Sequence, residues 1–200
     1  MPVNRELFTS QASLTAVSAS SNWLGSVGIV LIGSAFVALC SHVALPLWFT
    51  PVPLTLQPFA VLLLGLLLSP RLAASSLGAY LAEGAAGLPV FAPGFALSGG
   101  LAHLLGPTGG YLMAYPFAAA LISFLWRRGA RGFTDSLICA AVGNLVILFS
   151  GALWLAALTH ASASSALTMG VLPFLPGDAL KIVAAAALAT GFQRVRHRLS

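Results

Sequence analysis

Long apolar stretches separated by short turns that carry arginine dominate this sequence of 200 residues. Hydrophobic residues make up 58% of the chain and charged residues 6%, whereas a water-soluble domain carries about 25% charged residues. Most of the protein surface must therefore face lipid, which excludes a soluble enzyme, a disordered tail and a nucleic-acid-binding module. Cys40 and Cys139 each lie inside an apolar stretch, so we expect both to be packing residues.

The lengths of the apolar stretches predict how often the chain crosses a bilayer, because a membrane-spanning helix needs about 20 residues. Six stretches are candidates, the second being the most irregular: Leu24–Leu47, Leu54–Leu68, Leu72–Leu88, Tyr111–Trp126, Leu137–Leu158 and Leu172–Phe192. We expect an all-α polytopic membrane protein that forms a bundle of six transmembrane helices. Residues 1–22 are expected to be a polar lead-in, 23–194 a single membrane domain and 195–200 a basic cytoplasmic tail.

The positions of the arginines predict the orientation of the bundle, since cytoplasmic loops of membrane proteins are enriched in Lys and Arg. With both termini in the cytoplasm, all eight arginines lie on the inner side: Arg5, Arg71, Arg127, Arg128, Arg131, Arg194, Arg196 and Arg198. The outer segments around 49–53, 89–110 and 160–170 then contain no Lys or Arg. The net charge of +5 is explained by this topology and does not indicate a nucleic-acid partner.

Three charged residues remain inside the predicted spans: Glu83, Asp178 and the only lysine, Lys181. Asp178 and Lys181 are three residues apart and share one helix face. Because the third and sixth spans run in opposite directions, all three charges are expected at one level in the outer half of the membrane. Charged groups in lipid are costly and usually line a cavity or a polar path. Tyr80, one turn before Glu83, and Asn144, in the fifth span, extend this candidate polar site.

Two interpretations of Asp178 and Lys181 stay open, a structural ion pair and a ligand site. Glu83 favours the second, because it makes the local charge net negative and in need of a proton, a cation or a hydrogen-bond donor. A neutral polar ligand with N–H donors would meet that need. We expect no metal and no cofactor, since the histidines nearest the spans lack metal-ligand spacing and are expected to be structural: His42, His103 and His160.

The segment Pro89–Gly110 is too apolar for an exposed loop and too rich in Gly and Pro for a helix. Irregular backbone at membrane depth is tolerated where it is buried in protein or lines a cavity. We therefore expect an irregular outer lid loop between the third and fourth helices. Its glycine N–H groups can bind a carboxylate, and Phe91 and Tyr111 can supply apolar walls. A re-entrant plug without a ligand is the alternative.

Four motifs, in this order along the chain, resemble the BioY family: Pro51–Gln57, Gly87–Ala92, Leu105–Leu112 and Pro176–Lys181. BioY proteins are the biotin-specific substrate-binding (S) components of energy-coupling factor (ECF) transporters. The resemblance covers about residues 30–192, and the Gly-Pro-Thr-Gly-Gly-Tyr element at 106–111 is its most specific part. It implies a six-helix bundle in the cell membrane that captures biotin with high affinity at the outer side. Uptake would be energised by a transmembrane coupling protein and two ATPases.

The resemblance places biotin against Asp178 and Lys181, which match the family's ligand-binding positions in the last helix. The ureido ring of biotin has two N–H donors and one carbonyl acceptor, so a carboxylate can accept from it while Lys181 donates. The ring is therefore expected near the three intramembrane charges, and the anionic valerate near Thr55, Gln57, Thr108 or the lid glycines. The complete set of residues expected at the ligand is Thr55, Gln57, Tyr80, Glu83, Phe91, Thr108, Gly109, Tyr111, Asn144, Asp178 and Lys181.

The sequence also predicts which partner proteins transport would require. It has no Gly-x-x-x-x-Gly-Lys-Ser/Thr motif, so active transport would need an external ATPase. Ser34 and Ala38 are small residues on the first span and are candidates for the contact with the coupling protein, as in S components of this class. Intramolecular packing is the alternative interpretation of these residues. Transport without a motor, as a homo-oligomer, also stays open.

Three other functions compete with this one. An S component for another vitamin would have the same fold and a different pocket. The segment Leu97–Gly100 resembles the nucleophile motif of rhomboid intramembrane serine proteases, but the last span lacks the expected histidine. A proton-coupled carrier with Glu83 as its titrating group would usually contain repeated broken helices. We therefore expect a transport protein and not an enzyme.

Overall fold

The computed structural model describes the backbone of residues 5–93 and 100–199, and the side chains of 23–93 and 100–195. Within these residues the chain forms eight helices and one two-stranded sheet. The helices are α1 (Arg5–Ser41), α2 (Gln57–Leu67), α3 (Pro70–Ala85), α4 (Leu101–Leu104), α5 (Gly109–Arg128), α6 (Phe133–Thr159), α7 (Ala163–Gly170) and α8 (Leu175–Leu199). The strands β1 (Ala44–Leu45) and β2 (Leu54–Thr55) pair antiparallel, with Ala44 opposite Thr55.

Each of the six predicted spans overlaps a helix, namely α1, α2, α3, α5, α6 or α8. Four helical segments are long and apolar enough to cross a membrane: Trp23–Ser41, Gly109–Arg128, Phe133–Thr159 and Leu175–Val195. Helices α2 and α3 have 11 and 16 residues, fewer than the roughly 20 that a span needs. The described chain is therefore mostly helical, with four candidate spans and the shorter helices α2, α3 and α4 between the first two of them.

Several elements differ from the sequence prediction. Helix α1 begins at Arg5, so its helical backbone includes most of the predicted lead-in. Helices α4 and α7 lie in segments predicted as outer loops. Helix α7 forms because the hydroxyl of Ser162 accepts the backbone N–H of Ser165 at 3.3 Å and caps the helix start. Residues 94–99 of the predicted lid, and with them most of the protease-like segment, lie outside the described residues.

Glycines let three helices approach closely in the bundle. A Cβ atom added to Gly65 of α2 would lie 2.9 Å from Ile122 Cβ and 3.1 Å from the Ala119 carbonyl oxygen, both on α5. Gly143 of α6 faces the same Ile122 side chain, which is fully buried. Helix α5 therefore lies between α2 and α6, and Ile122 fills the space that the two glycines leave.

The outward faces of the four long helices carry large apolar side chains. Ile32 on α1 is 73% exposed, Phe117 on α5 74%, Phe149 on α6 67% and Leu180 on α8 74%. In water, an exposed apolar surface of this extent would promote aggregation. In lipid it is the surface that the sequence composition predicts.

Two small residues of α1, Gly33 and Ser34, face α3. Ser34 is fully buried, and its hydroxyl donates to Oε2 of Glu83. A Cβ added to Gly33 would lie 2.6 Å from Ser76 Oγ, and Ala38 packs against the main core cluster. The predicted partner contact is therefore wrong for Ser34, because the packing of α1 on α3 already buries this residue. The alternative interpretation, intramolecular packing, describes Ser34, whereas Ala38 is only partly buried and its partner contact stays a prediction.

Replacing Gly65 with Ala should destabilise the bundle, because the new methyl group would press on Ile122 and on the Ala119 carbonyl. Overpacking of this kind costs about 1–3 kcal/mol. Gly78→Ala on α3 is the matched control, since a Cβ there has nothing within 4 Å and Ala favours a helix by up to about 1 kcal/mol. Thermal unfolding in detergent should give a lower melting temperature for Gly65→Ala alone. Equal melting temperatures for the two variants would contradict the close packing of α2 on α5.

Candidate ligand-binding site

A cavity lies at the starts of α2, α5 and α8 and at the loops that precede them. It contains about 520 Å³ of empty space, a figure that includes space open to solvent. Six of the residues predicted to contact a ligand line it: Thr55, Gln57, Thr108, Tyr111, Asp178 and Lys181. The remaining walls are mostly apolar side chains. A few polar groups on apolar walls are the usual composition of a small-molecule site.

Asp178 and Lys181 form a buried ion pair at the start of α8. Lys181 Nζ donates to Asp178 Oδ1 at 2.8 Å, and the two residues are 3% and 9% exposed. Asp178 lies in the first turn of α8, where the helix dipole favours a negative charge. The ion pair therefore offers the cavity a hydrogen-bond acceptor next to a hydrogen-bond donor.

Asn144 of α6 contacts the same carboxylate from outside the cavity lining. Its Nδ2 donates to Asp178 Oδ2 at 3.1 Å, and the residue is 3% exposed. Its Oδ1 is the one buried side-chain acceptor without a hydrogen-bond partner among the described residues. Helices α6 and α8 together therefore set the orientation of the carboxylate.

Gln57 is held at both ends of its amide. Its Oε1 accepts from Thr55 Oγ1 at 3.1 Å, and its Nε2 donates to the hydroxyl of Tyr80. Gln57 and Thr55 line the cavity, whereas Tyr80 is fully buried behind them on α3. Thr55 reaches this position because β2 pairs with β1 and returns the chain towards α2. Tyr80 thus orients a cavity residue and is not itself part of the lining.

The side chain of Tyr111 packs against α6 and is hydrogen-bonded to α7. Its hydroxyl donates to the Gly170 carbonyl at 2.6 Å, and its ring packs where Gly151 has no side chain. Phe174 contacts the Tyr111 ring edge-on, with 6.2 Å between the ring centroids. Because the Tyr111 hydroxyl is already used, the ring supplies an apolar wall.

Phe91 and Gly109 support the lining from behind. The Phe91 ring stacks on His103, with 4.9 Å between centroids, and Gly84 leaves the space that the Phe91 ring occupies. Gly109 begins α5, where any Cβ would collide with the Leu104 carbonyl. Phe91 therefore shapes the cavity through His103, whereas Gly109 allows α5 to begin close to the Leu104 backbone.

Glu83 does not join the Asp178–Lys181 pair. Its carboxylate accepts from Ser34 of α1, and among the described residues that line the cavity Glu83 does not occur. The predicted cluster of three charges is therefore wrong for Glu83. The physical reason is the helix face: Glu83 lies on the side of α3 that packs on α1, so the local charge at the cavity is that of the neutral ion pair.

The sequence prediction missed three aromatic residues of the cavity: His103, Tyr115 and Phe174. Tyr115 follows Tyr111 by four residues, and Phe174 precedes Asp178 by four, so helical spacing placed both on faces already assigned to the site. His103 was expected to be structural, because the histidines are far apart in the sequence and lack metal-ligand spacing.

Comparison with known proteins identifies the family. The family model described as the BioY family matches residues 11–198. The chain belongs to the BioY family. The protein named "Probable biotin transporter BioY" of Pyrococcus horikoshii is 45% identical over 159 residues, 79% of this chain and 91% of the relative. The "Biotin transporter BioY" of Lactococcus lactis subsp. cremoris is 33% identical over 156 residues, 75% of this chain and 80% of the relative.

A solved structure has the same fold as this BioY chain. The crystal structure of the S-component for biotin from an ECF-type ABC transporter superposes with a TM-score of 0.79 at 29% identity. The match covers 87% of this chain and 93% of that one. The BioY resemblance seen in four sequence motifs is confirmed by both the family model and this likeness of fold.

Replacing Lys181 with Met should lower the stability of this BioY protein, because Asp178 would stay buried without its cation. Removing one partner of a buried ion pair costs about 3–5 kcal/mol. Adding Asp178→Asn to Lys181→Met should restore much of the loss, since the double variant buries no charge. Thermal unfolding of the ligand-free proteins measures the difference. A single variant that is as stable as the double variant would show that the pair is not buried as described.

Proposed function

We propose that this BioY protein captures biotin at the outer side of the cell membrane and serves its uptake as the S component of an ECF-type transporter. The observation that carries the proposal is the buried Asp178–Lys181 pair in the wall of a cavity that is otherwise lined mostly by apolar side chains. Family membership and the likeness to the S-component for biotin support it. The protein has no enzymatic role in this proposal.

The chemistry of the ion pair matches the ureido ring of biotin. That ring offers two N–H donors and one carbonyl oxygen, so it can donate to Asp178 while its carbonyl accepts from Lys181. Hydrogen bonds to charged groups are stronger than neutral ones. We place the ring at this pair, between the walls formed by Tyr115 and Phe174. The valerate then points towards Thr55, Gln57 and Thr108, three other polar residues of the lining.

We infer that the cavity opens to the outside and that both termini are cytoplasmic. Helices α2, α5 and α8 all contribute cavity residues from their first turns. Their other ends lead to arginines: Arg71 follows α2, Arg128 ends α5 and Arg194 lies near the end of α8. Because arginine-rich ends face the cytoplasm, the cavity belongs to the opposite side. In this arrangement α2 and α3 complete a bundle of six helices that cross or enter the membrane.

The ECF partners are a transmembrane coupling protein and two ATPases. The need for them rests on the missing ATP-binding motif and on the similarity to an S-component of such a transporter. Since Ser34 is buried in the protein, the coupling protein would contact another surface of the bundle. We retain transport as a homo-oligomer as the alternative arrangement.

Ligand binding by the purified protein tests the proposed function. A ligand that binds only the folded state raises the melting temperature by mass action, so biotin should raise it and thiamine and riboflavin should not. Biotin that co-purifies with the protein would add support. A shift with thiamine or riboflavin alone would identify an S component for another vitamin. Hydrolysis of a transmembrane peptide would instead identify a protease.

Asp178→Asn should weaken biotin binding at least tenfold, about 1.4 kcal/mol, because the charged acceptor for the ring N–H groups is lost. Glu83→Gln is the matched control, since it also removes one carboxylate charge but at the α1–α3 contact. Its affinity should stay within about twofold of the unmutated protein. Isothermal titration in detergent measures both constants. Loss of affinity in Glu83→Gln, with Asp178→Asn unchanged, would move the site to Glu83.

A further inference from the structure

Asn144 combines two features that packing alone does not explain. It is a polar residue in the middle of the membrane helix α6 and is 3% exposed. Its Oδ1 is buried without a hydrogen-bond partner among the described residues, an arrangement that destabilises a protein. A leucine of similar size would bury no such acceptor. What the asparagine adds is the Nδ2 donor to Asp178 Oδ2 at 3.1 Å.

The donor completes the fixation of a single carboxylate. Lys181 holds Oδ1 of Asp178 at 2.8 Å from the same helix, and Asn144 holds Oδ2 from the neighbouring helix. One contact would leave the carboxylate free to rotate about its last side-chain bond, whereas two contacts from different helices fix its plane. The remaining lone pairs of both oxygens then have fixed directions.

We propose that Asn144 is a positioning residue that orients the Asp178 carboxylate for the two N–H donors of the ureido ring. It acts through Asp178 and is not a contact of the ligand, because it lies outside the cavity lining. This inference rests on the proposed function. It changes the role expected for Asn144 from a ligand contact to a support behind one.

A purely structural bond between α6 and α8 is the competing explanation, and the biotin affinity of the folded protein separates the two. Asn144→Leu removes one of the two donors to the buried Asp178 carboxylate, so the ligand-free melting temperature falls in both cases. If the bond only joins helices, the folded protein still binds biotin with unchanged affinity. If Asn144 positions Asp178, the affinity of the folded protein falls as well.

Two variants keep the test independent of folding. Asn144→Leu removes the donor at similar volume, and Asn144→Ser is tolerated in a membrane helix because its hydroxyl can bond to the preceding turn but is too short to reach Asp178. The matched control is Ser123→Ala. Ser123 is fully buried and donates to the Leu68 carbonyl at 2.6 Å, a bond between α5 and the residue after α2 that lies away from the cavity.

Biotin affinity is measured by titration calorimetry for each variant, alone and combined with Asp178→Asn. We expect at least a tenfold loss for Asn144→Leu and for Asn144→Ser, and no more than a twofold change for Ser123→Ala. In the Asp178→Asn background the loss from Asn144→Leu should shrink to below about threefold, because interacting residues are not additive.

Each other outcome overturns the inference. Affinity within twofold of the unmutated protein for Asn144→Leu and Asn144→Ser would show that Asp178 needs no support. An equal fold-loss with and without Asp178→Asn would show that Asn144 acts elsewhere. Either result leaves the proposed function intact. Failure of the unmutated protein to bind biotin refutes the proposed function itself, so the two failures are distinguishable.

Discussion

A carboxylate and an ammonium group buried in a membrane-embedded bundle must neutralise each other, and the cavity depends on this requirement. Either charge alone would be costly at this depth. At 2.8 Å, Asp178 and Lys181 satisfy one another on a single helix face, so their position requires no third charge. The surrounding residues then complete the site: Asn144 holds the free carboxylate oxygen, and Tyr111 and Phe174 supply the walls.

Glycines, which have no side chain, determine how closely the helices that form the cavity walls can pack. Gly151 and Gly170 leave the space in which the Tyr111 ring and hydroxyl lie, and this contact joins α5 to α6 and α7. Gly65 and Gly143 do the same for Ile122 deeper in the bundle. Close backbone approach places the starts of α2, α5 and α8 around one space. The apolar residues that remain outside face lipid, so the same helices serve as scaffold, wall and membrane anchor.

The sequence prediction succeeded where local spacing decides the geometry. Asp178 and Lys181 are three residues apart, which on a helix puts them in contact, and the structure places both in the cavity. It failed for Glu83, because the sequence indicated how deep Glu83 lies in the membrane but not which face of α3 packs on α1. The predicted partner contact of Ser34 was wrong for the same reason. Both errors concern a single contact, because the Ser34 hydroxyl donates to Glu83. Tyr80 and Phe91 were assigned to the ligand and instead support Gln57 and His103.

The sequence by itself determined the membrane environment, the helical bundle, the BioY family and the ion pair, because composition, apolar length, motif order and helical spacing are properties of the chain. Only the tertiary structure decided which polar residues share a space. Thr55 and Gln57 are far from Thr108 and Asp178 along the chain, and these residues meet at one cavity through a hairpin and three helix starts. The rotation of each helix about its axis is set by interlocking side chains and glycines from its neighbours. That rotation directs Glu83 to Ser34 and Asn144 to Asp178.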